Sequence, residues 1–236
     1  MLATIKLGTA AGLVIVAGLF GGGVTGNGKV KEETREVGEF SGVEVGSSIK
    51  ATVTIGPKTS VKLEGEENLL PLIKTEVKNG VLTTHVDGKG INPTRPVRLT
   101  IVTPKLTSAG ASGAAMVTAD ATPGPKFEAD ASGGSHLTVK GVSADRLEVD
   151  ASGAAHLTVS GSAKTVNLDA SGAAQVNLVD TSADALRVDA SGAAMINAQA
   201  KSDVNVDASG AANVRVRGGA KNKNVDRSGG ANVQVD

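Results

Sequence analysis

Residues 146–160 read RLEVDASGAAHLTVS, and their alternation decides the fold. Leu147, Val149, Ala151, Ala155, Leu157 and Val159 are apolar and share one parity. Glu148, Asp150, Ser152, His156 and Thr158 are polar and share the other. Period two belongs to strands with one buried face, whereas a helix needs a 3.6-residue period that these polar residues break. Gly153 and Ala154 separate the two strand runs, where the chain has to bend.

The Ser-Gly pair of this unit recurs along the chain. Its serines are Ser112, Ser132, Ser152, Ser171, Ser191, Ser209 and Ser228, at intervals of 20, 20, 19, 20, 18 and 19 residues. Five copies read DASG, from Asp130, Asp150, Asp169, Asp189 and Asp207. A sixth reads DRSG from Asp226, and Gly110 replaces the acid in the first copy. Aligning the copies produces two inward columns. One holds Leu137, Leu157, Val176, Ile196, Val214 and Val233; the other holds Val139, Val159, Leu178, Ala198, Val216 and Val235. A single unit cannot bury both of its strands. Coils stacked ~4.8 Å apart merge the columns into one core, so seven of them span on the order of 30 Å. The expected fold is all-β: a right-handed parallel β-helix of short coils, its hand taken from the crossover rule. A β-meander sandwich would need alternating hairpins with Asn-Gly or Asp-Gly turns instead of bends that recur in phase.

Composition agrees with a slim core. The chain has 236 residues with three Phe and neither Trp nor Tyr, so small aliphatic side chains must fill the interior. Lys+Arg and Asp+Glu balance at 24 each, which leaves no basic excess for nucleic acid, and aromatic platforms for stacking bases are missing. With no cysteine, disulfides, thiolate metal sites and a cysteine nucleophile are excluded.

Residues 7–20, LGTAAGLVIVAGLF, follow Lys6 and lead into a glycine-rich stretch. This is the order of a secretory signal, so 1–26 is read as a signal peptide cut after Gly26, with an uncleaved membrane anchor as the alternative. The charged, aperiodic 27–37 reads as a linker. Residues 38–106 alternate less regularly and are expected to form the first, irregular coils of a single 38–236 domain, covering one end of the regular 107–236 repeats. Asn79-Gly80 signals a hairpin, and 66–72 a turn or single helical turn.

Several stretches together carry a family resemblance: FSGVEV (40–45), KATVTIGPKTSVKLEGEENLLPLIKTEVKNGVL (50–82), PVRLTIVTPKLTSAGASGAAMV (96–117) and the repeated DASGAA. In this order they resemble the head GIN domain family, a domain of unknown function whose members are described as auto-transporter adhesin heads. The resemblance implies an extracytoplasmic β-helix and carries over no catalytic residues.

Candidate chemistry concentrates in the repeat. Asp130, Asp150, Asp169, Asp189 and Asp207 should form an outward column of mutually repelling carboxylates. That column is a candidate for weak Ca²⁺ or polycation contacts; the local alternative is that each aspartate hydrogen-bonds its own Ser-Gly bend. The seven serines have no base placed by the repeat and read as structural. His136 and His156 share an outward position in consecutive coils, a candidate metal pair without an evident third ligand. Met116, Gln175, Met195, Asn213 and Asn232 fill the rest of that column. Thr138 and Thr158 match an ice-binding threonine array, but Asn177, Asn197 and Arg215 interrupt it. Lys223 and Arg227 stand at inward positions of the last coil, where charge opposes end-to-end stacking of strand edges. No cofactor is expected. The function expected is a non-catalytic, exported binding or scaffolding module acting through flat polar faces, in the periplasm, at the cell surface or secreted. Its partner would be a glycan, the cell envelope or a surface protein. A carbohydrate-active enzyme and a purely structural envelope protein are the alternatives. A lyase or hydrolase would need carboxylates set at a specific gap in a groove.

Overall fold

Coil by coil, the columns read from the repeat pair in parallel register. Leu137 lies beside Leu157, Leu157 beside Val176, Val176 beside Ile196, and so on through Val214 to Val233. On the other strand of each coil, Phe127, Leu147, Val166, Leu186, Val204 and Lys223 form a second continuous row. The structure, a computed structural model, describes residues 23–88 and 90–236. It is a β-solenoid of about six turns built from stacked parallel coils. From Leu137 to Val214 the inward residues are buried, each Val or Leu contributing roughly 1.5–3 kcal/mol to the core.

The uneven repeat lengths have a structural cause. Lys140 and Gly141 together oppose a single residue of the next coil, because Val139 pairs with Val159 while Val142 pairs with Gly161. This β-bulge absorbs the extra residue of a 20-residue coil stacked on a 19-residue one and leaves the corners aligned.

The 38–106 region does cover one end of the stack, but not in chain order. The strands Gly42–Val45 and Ile49–Ile55 stack directly on Ser108–Ala111 and Met116–Asp120 of the first regular coil. Beyond them, on the far side, lie Val81–Val86 and Val97–Thr103. The coil first in sequence is thus second in space. Outside it, antiparallel strands close the end: Ile73–Lys78 on Val81–Val86, and Ser60–Glu66 on Val97–Thr103. Asn79 (φ 51) and Gly80 (φ 77) make the predicted hairpin turn, and Leu70–Leu72 forms one turn of 3-10 helix.

The linker reading of 27–37 is corrected. Val30–Thr34 is a strand, paired antiparallel with Ser60–Glu66. Its charges misled the reading: they suit an outermost strand, where Lys62 bridges Glu32 at 2.8 Å in solvent. Ahead of it, Val24–Thr25 pairs in parallel with Ile91–Asn92. Most of the 1–26 signal segment, residues 1–22, lies outside the described residues. Among the described residues, no helix is long and apolar enough to cross a membrane.

Candidate functional site

Each coil presents two long faces that meet at the Ala-Ser-Gly corner. The corner is closed by main-chain bonds to the coil before it: Ser152 N–H donates to Ala131 O at 2.9 Å and Ala154 N–H to Gly133 O at 2.8 Å. The same bonds recur in the neighbouring coils, for example Ser171 to Ala151 and Ala173 to Gly153. Main-chain bonds between coils thus close the bend. Among the described residues, the basic partner of a repeat aspartate is Arg187, whose Nε donates to Asp189 at 3.2 Å.

What the aspartates do is line a trough. Asp130, Asp150, Asp169, Asp189 and Asp207 stand in register, one per coil, and Asp226 continues the column. Ser112, Ser132, Ser152, Ser171, Ser191 and Ser209 run parallel to it two residues on; Ser228 occupies the same position in the last coil. Together with Glu44 and Glu128 these two columns bound a shallow cavity of about 690 Å³. Small residues at every corner leave this concavity, so it needs no departing loop, a possibility the sequence reading did not consider. At its N-terminal end Gly110 contributes no side chain between Glu44 and Asp130. Burial, then Asp150, Glu128 and Glu44, push the Asp130 carboxyl up to about 6. Burial and the neighbouring Asp169 also raise Asp150, and a hydrogen bond from Asp130 partly offsets this. Asp130 is thus the carboxyl of this pair pushed furthest toward holding a proton. The Glu column beside them is neutralised differently, with Lys126 bridging Glu128 and Glu148.

The other long face is built from the strands Val97–Thr103, Ile49–Ile55, Met116–Asp120 and the following coils. Two outward columns run along its middle, and a third beside them carries Asp120 and Lys140. One runs Arg98, Lys50, Met116, His136, His156, Gln175, Met195, Asn213. The other runs Thr100, Thr52, Thr118, Thr138, Thr158, Asn177, Asn197, Arg215. From Met116 to Asn197 neither column carries a carboxylate, ammonium or guanidinium. The threonine ladder is five long, against the two noticed in the sequence; Thr52 and Thr100 join it from the two N-terminal coils. Met116 and Met195 are about half exposed, at 49% and 46%. Exposed Ala114, Ala154, Ala173 and Ala193 extend the uncharged strip toward the corner.

His136 and His156 are brought together, with ring centroids 4.6 Å apart and planes within 16°. Stacked rings direct their nitrogens along parallel lines instead of toward a common point. Among the described residues, no group of three His, Asp or Glu side chains is placed to hold a metal ion.

A parallel β-solenoid carrying uninterrupted surface ladders is the class of protein that this fold and these faces define. The chain belongs to the family described as "Putative auto-transporter adhesin, head GIN domain", whose model matches residues 39–235. Solved structures share the fold. A putative adhesin from Bacteroides fragilis is 19% identical with a TM-score of 0.84, covering 91% of this chain and 100% of that one. A putative lipid binding protein from Parabacteroides distasonis is 16% identical with a TM-score of 0.71, covering 90% and 99%. A putative adhesin from the same organism is 19% identical with a TM-score of 0.67, covering 91% and 100%. No curated protein matches the chain.

Proposed function

We propose that the protein is an exported, non-catalytic, adhesin-like module that binds an uncharged glycan of a cell surface or envelope along its threonine–histidine–asparagine face. The observation that carries this reading is the contrast between the two long faces. One carries a strip of two uncharged columns, edged by Asp120 and Lys140, in which hydroxyls, amides and imidazoles recur from coil to coil; the other is acidic along its length. Hydroxyl and amide side chains both donate and accept, which suits the hydroxyls of a neutral sugar chain. Threonine methyls, alanines and the two exposed methionines offer apolar contact beside them. An anionic polymer would meet no cation within the two columns themselves, with Lys140 at their edge beside Asp120, and repulsion at the trough. The family description as an adhesin head supports the same reading.

The enzyme alternative has no comparable support. Glycoside-cleaving carboxyl pairs are set at a specific gap, at least ~5 Å, to flank a bond, whereas the carboxylates of the trough repeat uniformly, one per coil.

Co-sedimentation of the purified protein with insoluble neutral and acidic polysaccharides, with and without Ca²⁺, tests the proposal. Saturable binding to neutral polymers, lowered at least tenfold by Thr138→Glu with Thr158→Glu, is expected. Absence of binding to every polymer, or binding that survives these substitutions, overturns it.

A further inference from the structure

The folded body begins earlier than the export signal alone suggests. Val24 N–H donates to Gly90 O at 2.9 Å, and Gly26 N–H to Asn92 O at 3.1 Å. Asn68 Nδ2 donates to Thr25 O at 2.8 Å. Gly26 packs so closely on Glu66 that a Cβ there would fall inside the carboxylate. Glu66 is itself fully buried and accepts hydrogen bonds from Gly28 N at 2.6 Å, Thr94 Oγ1 at 2.6 Å and Thr94 N at 2.7 Å. One buried carboxylate thus holds both the segment after the leader and the 94–95 turn. Residues 24–28 belong to the end cap of the solenoid.

A leader peptidase needs small residues one and three positions ahead of the bond it cuts. After the apolar run three bonds qualify, and a cut at the third, after Gly28, would discard everything that the two earlier cuts discard. Cutting after Gly26 uses Gly26 and Val24; cutting after Gly23 uses Gly23 and Gly21. The first discards the strand Val24–Thr25 and the three hydrogen bonds above, and leaves the Glu66 carboxylate uncovered where Gly26 packed. The second gives up the Asn92 Nδ2 bond to Gly23 O at 3.3 Å and leaves the others in place.

We propose that the modification site is the Gly23–Val24 peptide bond, cut during export so that Val24–Thr25 stays with the mature protein. Water adds across the amide in the leader peptidase. Gly23 leaves as the carboxylate end of the leader, and Val24 becomes an ammonium that still donates to Gly90 O. This inference rests on the export reading.

The test expresses the full chain, with its own leader, in an export-competent bacterial host and determines N-terminal sequence and intact mass in each fraction. A mature N-terminus at Val24 is expected. An exported protein starting at Asn27, or exported uncut, overturns the site while leaving export standing; an uncut chain confined to the cytoplasm overturns both. Two variants separate the bonds, since each puts a charge three positions ahead of only one of them. Gly21→Lys should leave precursor uncut, and Val24→Lys should be processed normally. The reverse pattern overturns the proposal.

Discussion

The Lys223 ammonium donates a hydrogen bond to the Val235 carbonyl oxygen at 3.3 Å. Lys223 continues the row of Phe127, Leu147, Val166, Leu186 and Val204, so its side chain lies across the open end of the core. Arg227 continues the neighbouring row of alanines, directly beside Ala208. Between them Val225 is 36% exposed, and Val233 and Val235 are half-buried. Stacking another coil here would bury these two charges, which costs several kcal/mol per ion. Lys223→Val with Arg227→Ala is therefore expected to promote concentration-dependent self-association. Light scattering across a dilution series checks it, and a mass equal to that of the unsubstituted protein at every concentration counts against it.

Asp130 makes stability depend on pH in a direction unusual for a carboxylate. Its folded value of about 6 lies above the ordinary ~3.9, so the folded state holds a proton that the unfolded chain releases. The stabilisation is complete below about pH 4 and is lost as pH rises to about 6. Asp130→Asn should stabilise the protein at pH 7 by on the order of 1 kcal/mol, allowing for solvent screening of a partly exposed group. Urea denaturation at pH 4 and pH 7 checks this. Equal effects at both values would show that the trough imposes no charge repulsion.

Gly172 and Gly219 share a left-handed backbone, with φ of +69° and +71°, but differ in what surrounds them. A Cβ on Gly172 would lie 2.7 Å from Gly153 O in the preceding coil, whereas one on Gly219 would meet nothing within 4 Å. Alanine at either position carries the backbone term of roughly 1 kcal/mol. Gly172→Ala should cost a further 1–3 kcal/mol, roughly, because the stacked main chain cannot move aside. Thermal denaturation of the two variants measures the difference. Similar losses would mean that the corners are looser than their stacking implies.

The regular coils were legible because each inward position is filled six times over, and a column of Leu, Val and Ile survives any single exception. The serine corners and the aspartate column followed from the same phase. The order of the first coils was not legible. Nothing in 42–55 or 81–103 states which lies nearer the repeats, since both alternate and both offer β-branched edges. The charged 30–34 segment was misread for a related reason: alternation weakens on an outermost strand, whose second face is solvent.

By itself, then, the sequence determined the parallel stacking of the DASG coils, because period-two burial and an in-phase corner admit one register between identical units. Only the tertiary structure decided how the N-terminal strands close the stack, which threonines join the ladder of the uncharged face, and that Gly26 lies against the Glu66 carboxylate. Apart from the Asn79-Gly80 hairpin, those relations join residues about thirty or more positions apart in stretches without a repeat, and the packing energy that selects among their pairings exists only once the chain has folded.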